Sequence, residues 1–292
     1  MSGNPVIPPV KRTYTVLGIL ALLGAVTSLG FFSGCETATK PTTVETASLP
    51  PEPPLSPGDI HKGLTYPLDQ VAEAKAVPPV FVSSLSVNLD RIADVDEKKA
   101  TFFRIMLPHI ARENDRIRAE RGKITKGPDQ TPDALFEKYE VEHGNVTELL
   151  KRVDVIPASL VLSQAALESG WGTSRFARDG NNFFGMRTYN KDAKGIDPKE
   201  ADGFKVMVFK DIAASVRAYM KNLNTHSAYA KFRTARAQLH ANDATPNGRK
   251  MTSYLTSYSE IPELYGNRLR DMMDHNNLAR FEIGRASCRE RV

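Results

Sequence analysis

Residues 155–187 read VIPASLVLSQAALESGWGTSRFARDGNNFFGMR, and the fold turns on how they are read. Pro157 suits a first helical turn, where its missing N–H costs nothing. Leu160, Val161, Leu162, Ala165, Ala166 and Leu167 leave almost no polar face, so the spacing predicts a buried helix. Gly170 and Gly172 end it. Glu168 then falls in the last turn, beneath Val161 and Ala165 on an apolar stripe. Burial disfavours a charged carboxylate, and the negative end of the helix dipole does the same. Both raise its pKa. A carboxylic acid still protonated near neutral pH is what protonation of a glycosidic oxygen requires. A structural reading competes: Glu168 caps local backbone groups or pairs with Arg175 or Arg187. Spacing does not separate the two, because structural ion pairs also perturb pKa.

The chain also carries a resemblance. Glu168-Ser169-Gly170-Trp171-Gly172-Thr173-Ser174, then Phe176-Ala177, then Asn181-Asn182-Phe183-Phe184-Gly185, resembles the glucosaminidase signature of glycoside hydrolase family 73, and within it the Bax-like bacterial proteins. A Glu-Ser helix end joined to an Asn-Asn-x-Phe-Gly turn makes the likeness specific, and weaker likeness runs over about residues 90–278. It implies a lysozyme-like helical domain, mostly α (α+β), with a small β-hairpin lobe, acting on the glycan of peptidoglycan. The family's Glu-Ser glutamate is the general acid, and that role carries over to Glu168. The chemistry needs no cofactor.

Upstream, Lys11 and Arg12 precede an apolar run over residues 14–32 that ends in Phe32-Ser33-Gly34-Cys35. A positive start, an apolar core and small residues before a cut describe a secretory signal, and the Cys resembles a bacterial lipoprotein signal. Residues 1–34 are then a signal peptide, and Cys35 becomes the lipidated first residue. An uncleaved anchor is the competing reading, since the run approaches the roughly 20 residues that span a bilayer. Glu36 gives no reason for inner-membrane retention, so the expectation is an outer-membrane anchor facing the periplasm. Residues 35–58, rich in Pro and Thr, form an extended tether.

The other cysteine, Cys288, lies in IGRASCRERV, residues 283–292. That string resembles a translated sequencing adapter and is set aside as foreign. The formal charge is +5. The ten residues hold Arg285, Arg289 and Arg291 against Glu290, so removing them takes off two positive charges. A mildly basic remainder suits an acidic wall polymer or anionic lipid without deciding between them. No basic stripe interleaved with aromatics suggests nucleic acid. The six His show no metal-ligand spacing such as HExxH, and there is no P-loop or dinucleotide fingerprint.

Residues 59–282 suffice for one domain with a substantial core: a helical extension to about 145, then a catalytic core from about 146. Asp94 or Asp96 caps a long helix to 121, kinked at Pro108, with 123–130 as a loop. Shorter helices follow over 134–141 and 146–153. Residues 67–89 read as irregular. Strands are expected over 182–187 and 203–209, joined by a polar loop to make one hairpin. Asp211 caps an amphipathic helix built on Ile212, Val216, Tyr219, Met220 and Leu223. Helices over 228–239, 249–255 and 262–278 complete the chain.

A glycosidase ordinarily needs a second group across the scissile bond. Glu200 and Asp202 lie in the expected β-lobe, where the family often places a second carboxylate; as solvated loop acids they would do nothing. Tyr258, followed by Tyr265, resembles the family's late Tyr…Tyr motif, whose first Tyr lines the catalytic cleft; the resemblance implies a catalytic Tyr258 that orients water or stabilises positive charge at the sugar, and a core Tyr with a satisfied hydroxyl is the competing reading. Glu260 is a weaker option. The substrate's own 2-acetamido group is the alternative to a second carboxylate. Ser169, Asn182, Phe184, Gly185, Trp171 and Tyr265 are the candidate substrate contacts. Trp171 reads more readily as packing than as a sugar platform. Asn181 and Asn182 suit a positive-φ turn.

The reading that joins these features is a lipid-anchored endo-β-N-acetylglucosaminidase that hydrolyses the β-1,4 bond after N-acetylglucosamine. Its partners are peptidoglycan strands and, through Cys35, a membrane. The alternatives are a muramidase or lytic transglycosylase of lysozyme-like fold, a non-catalytic wall-binding lipoprotein, and a glycoprotein endoglycosidase.

Overall fold

Asp94, Asn145, Ser174, Asp211 and Asn247 each turn a side-chain oxygen onto the backbone N–H three residues ahead, and a helix begins after each. The computed structural model describes residues 56–85, 88–127, 131–190, 192–198, 203–256, 258 and 262–282. Among these the helices are α1 (Pro57–Ile60), α2 (Leu68–Ala74), α3 (Val95–Lys126), α4 (Asp133–Tyr139), α5 (Val146–Arg152), α6 (Ala158–Ser169), α7 (Arg175–Gly180), α8 (Ile212–Thr225), α9 (Ala230–Ala241), α10 (Gly248–Met251) and α11 (Pro262–His275). The strands are β1 (Arg187–Thr188), β2 (Gly195–Ile196) and β3 (Lys205–Met207). The fold is therefore mostly α with a small β lobe, the lysozyme-like class expected from the sequence.

Helix α6 is the central element. Leu160, Val161, Leu162 and Ala165 are completely buried, and α3, α10, α11 and a final 3-10 turn over Leu278–Phe281 all pack on it. Every residue from Ala158 to Ala166 is buried, so this part of the helix has no side that meets water. Its end is set by Gly170, which adopts the left-handed conformation at φ 56°. Trp171 also has positive φ, at 60°, and Gly172 follows at 78°. A Cβ on Gly172 would press within 3.2–3.4 Å of Leu85, Leu89 and Phe102, so this break packs directly against the N-terminal extension.

Three expectations need correction. The long helix does not stop at 121: it runs to Lys126, because completely buried Ile124 anchors its last turn. Residues 67–89 are not wholly irregular, since buried Leu68 and Val71 fix the short helix α2. The β lobe is a three-stranded antiparallel sheet in the order β1-β3-β2, not a single hairpin. Arg187 pairs with Val206, and Gly195 with Met207. The first strand starts only at Arg187 because the preceding residues are held in a turn by Asn182. The second strand lies inside the stretch read as connecting loop, where Gly195 permits close approach: a Cβ there would meet Lys205 Cβ at 2.6 Å and the Val206 carbonyl at 2.9 Å.

Candidate active site

Glu168 is the penultimate residue of α6, and its side chain is half-buried. Burial pushes its carboxyl up from 4.5 to about 7, against the opposing pull of a hydrogen bond from Tyr265 and the positive charge of Arg187. Tyr265 on α11 donates its hydroxyl to Glu168 Oε1 at 2.9 Å. The second carboxyl oxygen, Oε2, lies 3.5 Å from where a Cβ on Gly185 would sit. Gly185 is exposed and has φ +62°, so the glycine allows the turn and places no side chain against Oε2. The structural reading of Glu168 fares less well: Arg175 donates to the Asp197 carbonyl at 2.8 Å, and among the described residues no hydrogen-bonded ion pair joins Glu168 to a cation.

Behind Tyr265 the polar contacts continue into the core. Gln164, one helical turn before Glu168, donates its amide to the Tyr265 oxygen at 2.8 Å. Tyr219 on α8 donates its hydroxyl to Gln164 Oε1. Gln164 is completely buried and Tyr219 is 1% exposed. From the sequence Tyr219 reads only as part of an apolar helix face, and Gln164 does not stand out. The available signal was an amide four residues before the acid, on the same face of an otherwise apolar helix.

The Asn-Asn-Phe-Phe-Gly turn is bolted to the same group. Phe184 stacks on Tyr219 with centroids 4.0 Å apart and planes 7° apart. Its carbonyl accepts the Tyr258 hydroxyl at 3.0 Å, and Tyr258 stacks on Tyr265 with centroids 5.3 Å apart. The structure thus brings Glu168 of α6, Phe184 and Gly185 of the turn before β1, Tyr258, and Tyr265 of α11 together. Of the two late tyrosines it is Tyr265, read from the sequence as a substrate contact, that touches the acid. Tyr258 stands one ring behind it, with its hydroxyl on backbone.

Three candidate substrate contacts are occupied inside the protein. Asn182 is 1% exposed. Its amide donates to the carbonyls of Met186 and Met207 and accepts from the amides of Phe184 and Met186, so it shapes the turn and presents no free amide to a sugar. Ser169 is completely buried, donating to the Ala165 carbonyl and accepting from the Gly172 amide. The ring of Phe184 is buried against Tyr219. Trp171 packs edge-on against Phe102 and Phe103 of α3 at 5.7 and 5.6 Å, the packing role favoured for it. Glu200, Asp202, Glu260 and Cys35 lie outside the described residues. A cavity of about 290 Å³ lies elsewhere, lined by Arg112, Glu113 and Arg116 of α3 and by Arg217 of α8.

Comparison with known proteins gives the family. Residues 144–278 match the family model described as Glucosaminidase, mannosyl-glycoprotein endo-beta-N-acetylglucosaminidase. The matched span holds Gln164, Glu168, Gly185, Tyr219, Tyr258 and Tyr265. The protein Bax of Escherichia coli is 36% identical over 194 residues, which cover 61% of this chain and 70% of Bax. An autolysin of Enterococcus faecalis is 24% identical over 162 residues, which cover 53% of this chain but only 21% of the autolysin. No solved structure gives a significant match. With more than two-thirds of Bax covered at this identity, the chain belongs to the family of Bax-like glucosaminidase-domain proteins and is a glycoside hydrolase.

Proposed function

We propose that the protein is a peptidoglycan endo-β-N-acetylglucosaminidase in which Glu168 protonates the leaving glycosidic oxygen. The observation that carries this reading is a single carboxyl, raised to about 7 by burial, whose Oε2 lies beside an exposed glycine. An acid of that pKa is still largely protonated in the neutral range and gives up its proton at little cost, as general acid catalysis requires. As the bond to the leaving sugar breaks, positive charge develops on the retained sugar. The carboxylate that Glu168 becomes, with Tyr265 donating to it, is stabilised as the charge separates. Water then attacks the sugar, activated either by a second carboxylate, with Glu200 and Asp202 the candidates, or through assistance from the 2-acetamido group.

The test is digestion of purified peptidoglycan by the full chain, borohydride reduction of the products, and identification of the reduced sugar by mass spectrometry. Reduced N-acetylglucosamine is expected. Reduced muramic acid, or a 1,6-anhydro product that escapes reduction, would reassign the enzyme as a muramidase or lytic transglycosylase. No release by folded protein that still sediments with the wall would leave a binding role.

We also propose that the catalytic domain works from a lipid anchor on Cys35, at the end of an exported tether. This rests on the signal-like residues 1–34 and the Pro-rich spacer that follows. Metabolic labelling with a radioactive fatty acid is expected to mark the wild-type chain and not Cys35→Ala; equal labelling of both rejects the anchor.

A further inference from the structure

Tyr265 has one hydroxyl hydrogen, and three contacts decide where it points. Gln164 donates to its oxygen, so the hydrogen is free for Glu168 Oε1. In this orientation Gln164 turns its carbonyl oxygen to the Tyr219 hydroxyl, which donates to it. Tyr219 is in turn fixed by the ring of Phe184 stacked flat on its own. The donors of the series run from the core outward: Tyr219 to Gln164, Gln164 to Tyr265, Tyr265 to Glu168.

That polarity has a chemical consequence at the acid. The carbonyl oxygen of a carboxylic acid is a good acceptor and its hydroxyl oxygen a poor one. A hydrogen donated to Oε1 makes Oε1 the carbonyl oxygen and leaves the acid proton to Oε2. With the Gln164 amide reversed, Tyr265 would donate to Gln164, and Glu168 would spend its proton on Tyr265 instead. We propose that Gln164 and Tyr219 are positioning residues that hold the Tyr265 hydroxyl as a donor and so place the proton of Glu168 on Oε2, the oxygen beside exposed Gly185. This rests on the reading of Glu168 as general acid and adds which oxygen acts and what selects it. Among the described residues the titratable groups around the carboxyl are Tyr265 of α11, Arg187 of β1 and Tyr219 of α8. Tyr258 is stacked behind Tyr265, and Tyr229 lies beyond Tyr258.

The experiment compares the full chain with Gln164→Met and Tyr219→Phe, measuring kcat and KM on purified peptidoglycan across pH, with the folded fraction of each sample determined alongside. Gln164→Met keeps the volume and removes both polar contacts. The freed Tyr265 hydroxyl can then accept from protonated Glu168. The expected result is a fall in kcat of about tenfold with KM changed by less than about twofold, together with an alkaline limb moved to higher pH. An acid that stays protonated longer yet turns over more slowly is a signature that simple loss of structure does not produce. Tyr219→Phe preserves the stack on Phe184 and is expected to move both quantities the same way by less; if Gln164→Met does not fold, this variant decides alone. Wild-type kcat and limb in the folded variants overturn the proposal, as does activity that falls only in proportion to folded protein. Glu168→Gln serves as the separate control: activity retained there rejects the general acid itself, whereas an inactive Glu168→Gln beside unaffected relay variants rejects only the relay.

Discussion

The hydroxyl of Tyr265 lies 2.9 Å from Glu168 Oε1 and donates to it, across 97 positions of sequence. Donation to a carboxylate favours its charged form, so this bond opposes the burial that raises the Glu168 pKa. Tyr265→Phe removes the donor and keeps the ring. The Glu168 pKa should rise above its present value of about 7, and activity, which falls as pH climbs through that pKa, should persist to higher pH. The maximal rate should fall about tenfold, because the carboxylate left after proton transfer loses a charge-assisted bond. Tyr258→Phe should cost less than Tyr265→Phe, since its hydroxyl serves the Phe184 carbonyl. Rates measured from pH 4 to 9 check both.

The raised pKa is also a statement about stability. Between pH 4.5 and about 7 the unfolded chain releases the Glu168 proton while the folded protein keeps it. Folding stability therefore declines across this window as pH rises, and above it the full penalty is present. Glu168→Gln keeps the shape without the ionisation. The variant should be inactive, yet more stable than wild type at pH 8 by about 1–3 kcal/mol, with no gain at pH 4. Denaturant melts at the two pH values test this, and equal stability at pH 8 would show that burial does not penalise the charged form.

Gly185 is predicted to be needed twice over. Its φ of +62° strains any residue with a side chain, and a Cβ would stand 3.5 Å from Glu168 Oε2. Gly185→Ala should cost about 1–2 kcal/mol of stability. It should also reduce kcat/KM on peptidoglycan beyond what the lost folded fraction explains, because the methyl group partly covers the oxygen proposed to carry the proton. A loss that tracks folding alone would place the productive face of Glu168 elsewhere.

Much of this was legible in the sequence, and the rest fails for identifiable reasons. The central helix, its glycine stop and the half-buried acid follow from an apolar run closed by Gly170, because hydrophobic pattern and capping are local. The Asp211 cap is equally local. Local pattern could not say which late tyrosine reaches Glu168, since that depends on how α11 packs across α6. Nor could it show that the amide of Asn182 is consumed by Met186 and Met207, because the Met207 bond comes from a strand 25 residues away. Gln164 was hidden by its neighbours: in a run of Leu, Val and Ala, one amide reads as an interruption until its two partners are known.

Glu282 is a further case of a long-range partner. Pro157, which precedes α6, provides no side-chain cap. Glu282 supplies the missing acceptor from 124 positions away, taking the Ala158 amide at 2.9 Å, the Ser159 hydroxyl, and the Gly248 amide at 3.1 Å. These groups lie in a tight place: a Cβ on Gly248 would fall 2.1 Å from the Ser159 oxygen. Glu282→Ala leaves three enclosed donors without their acceptor and should destabilise the protein by about 3–5 kcal/mol. The effect should reach activity only through folding, because α6 places Glu168 about 15 Å along its axis from this end. Ending the chain after residue 282 should therefore leave the melting temperature and the rate unchanged, whereas ending it after 281 should lower the melting temperature as Glu282→Ala does. If both truncations melt alike, the clamp on α6 is not made by the Glu282 side chain.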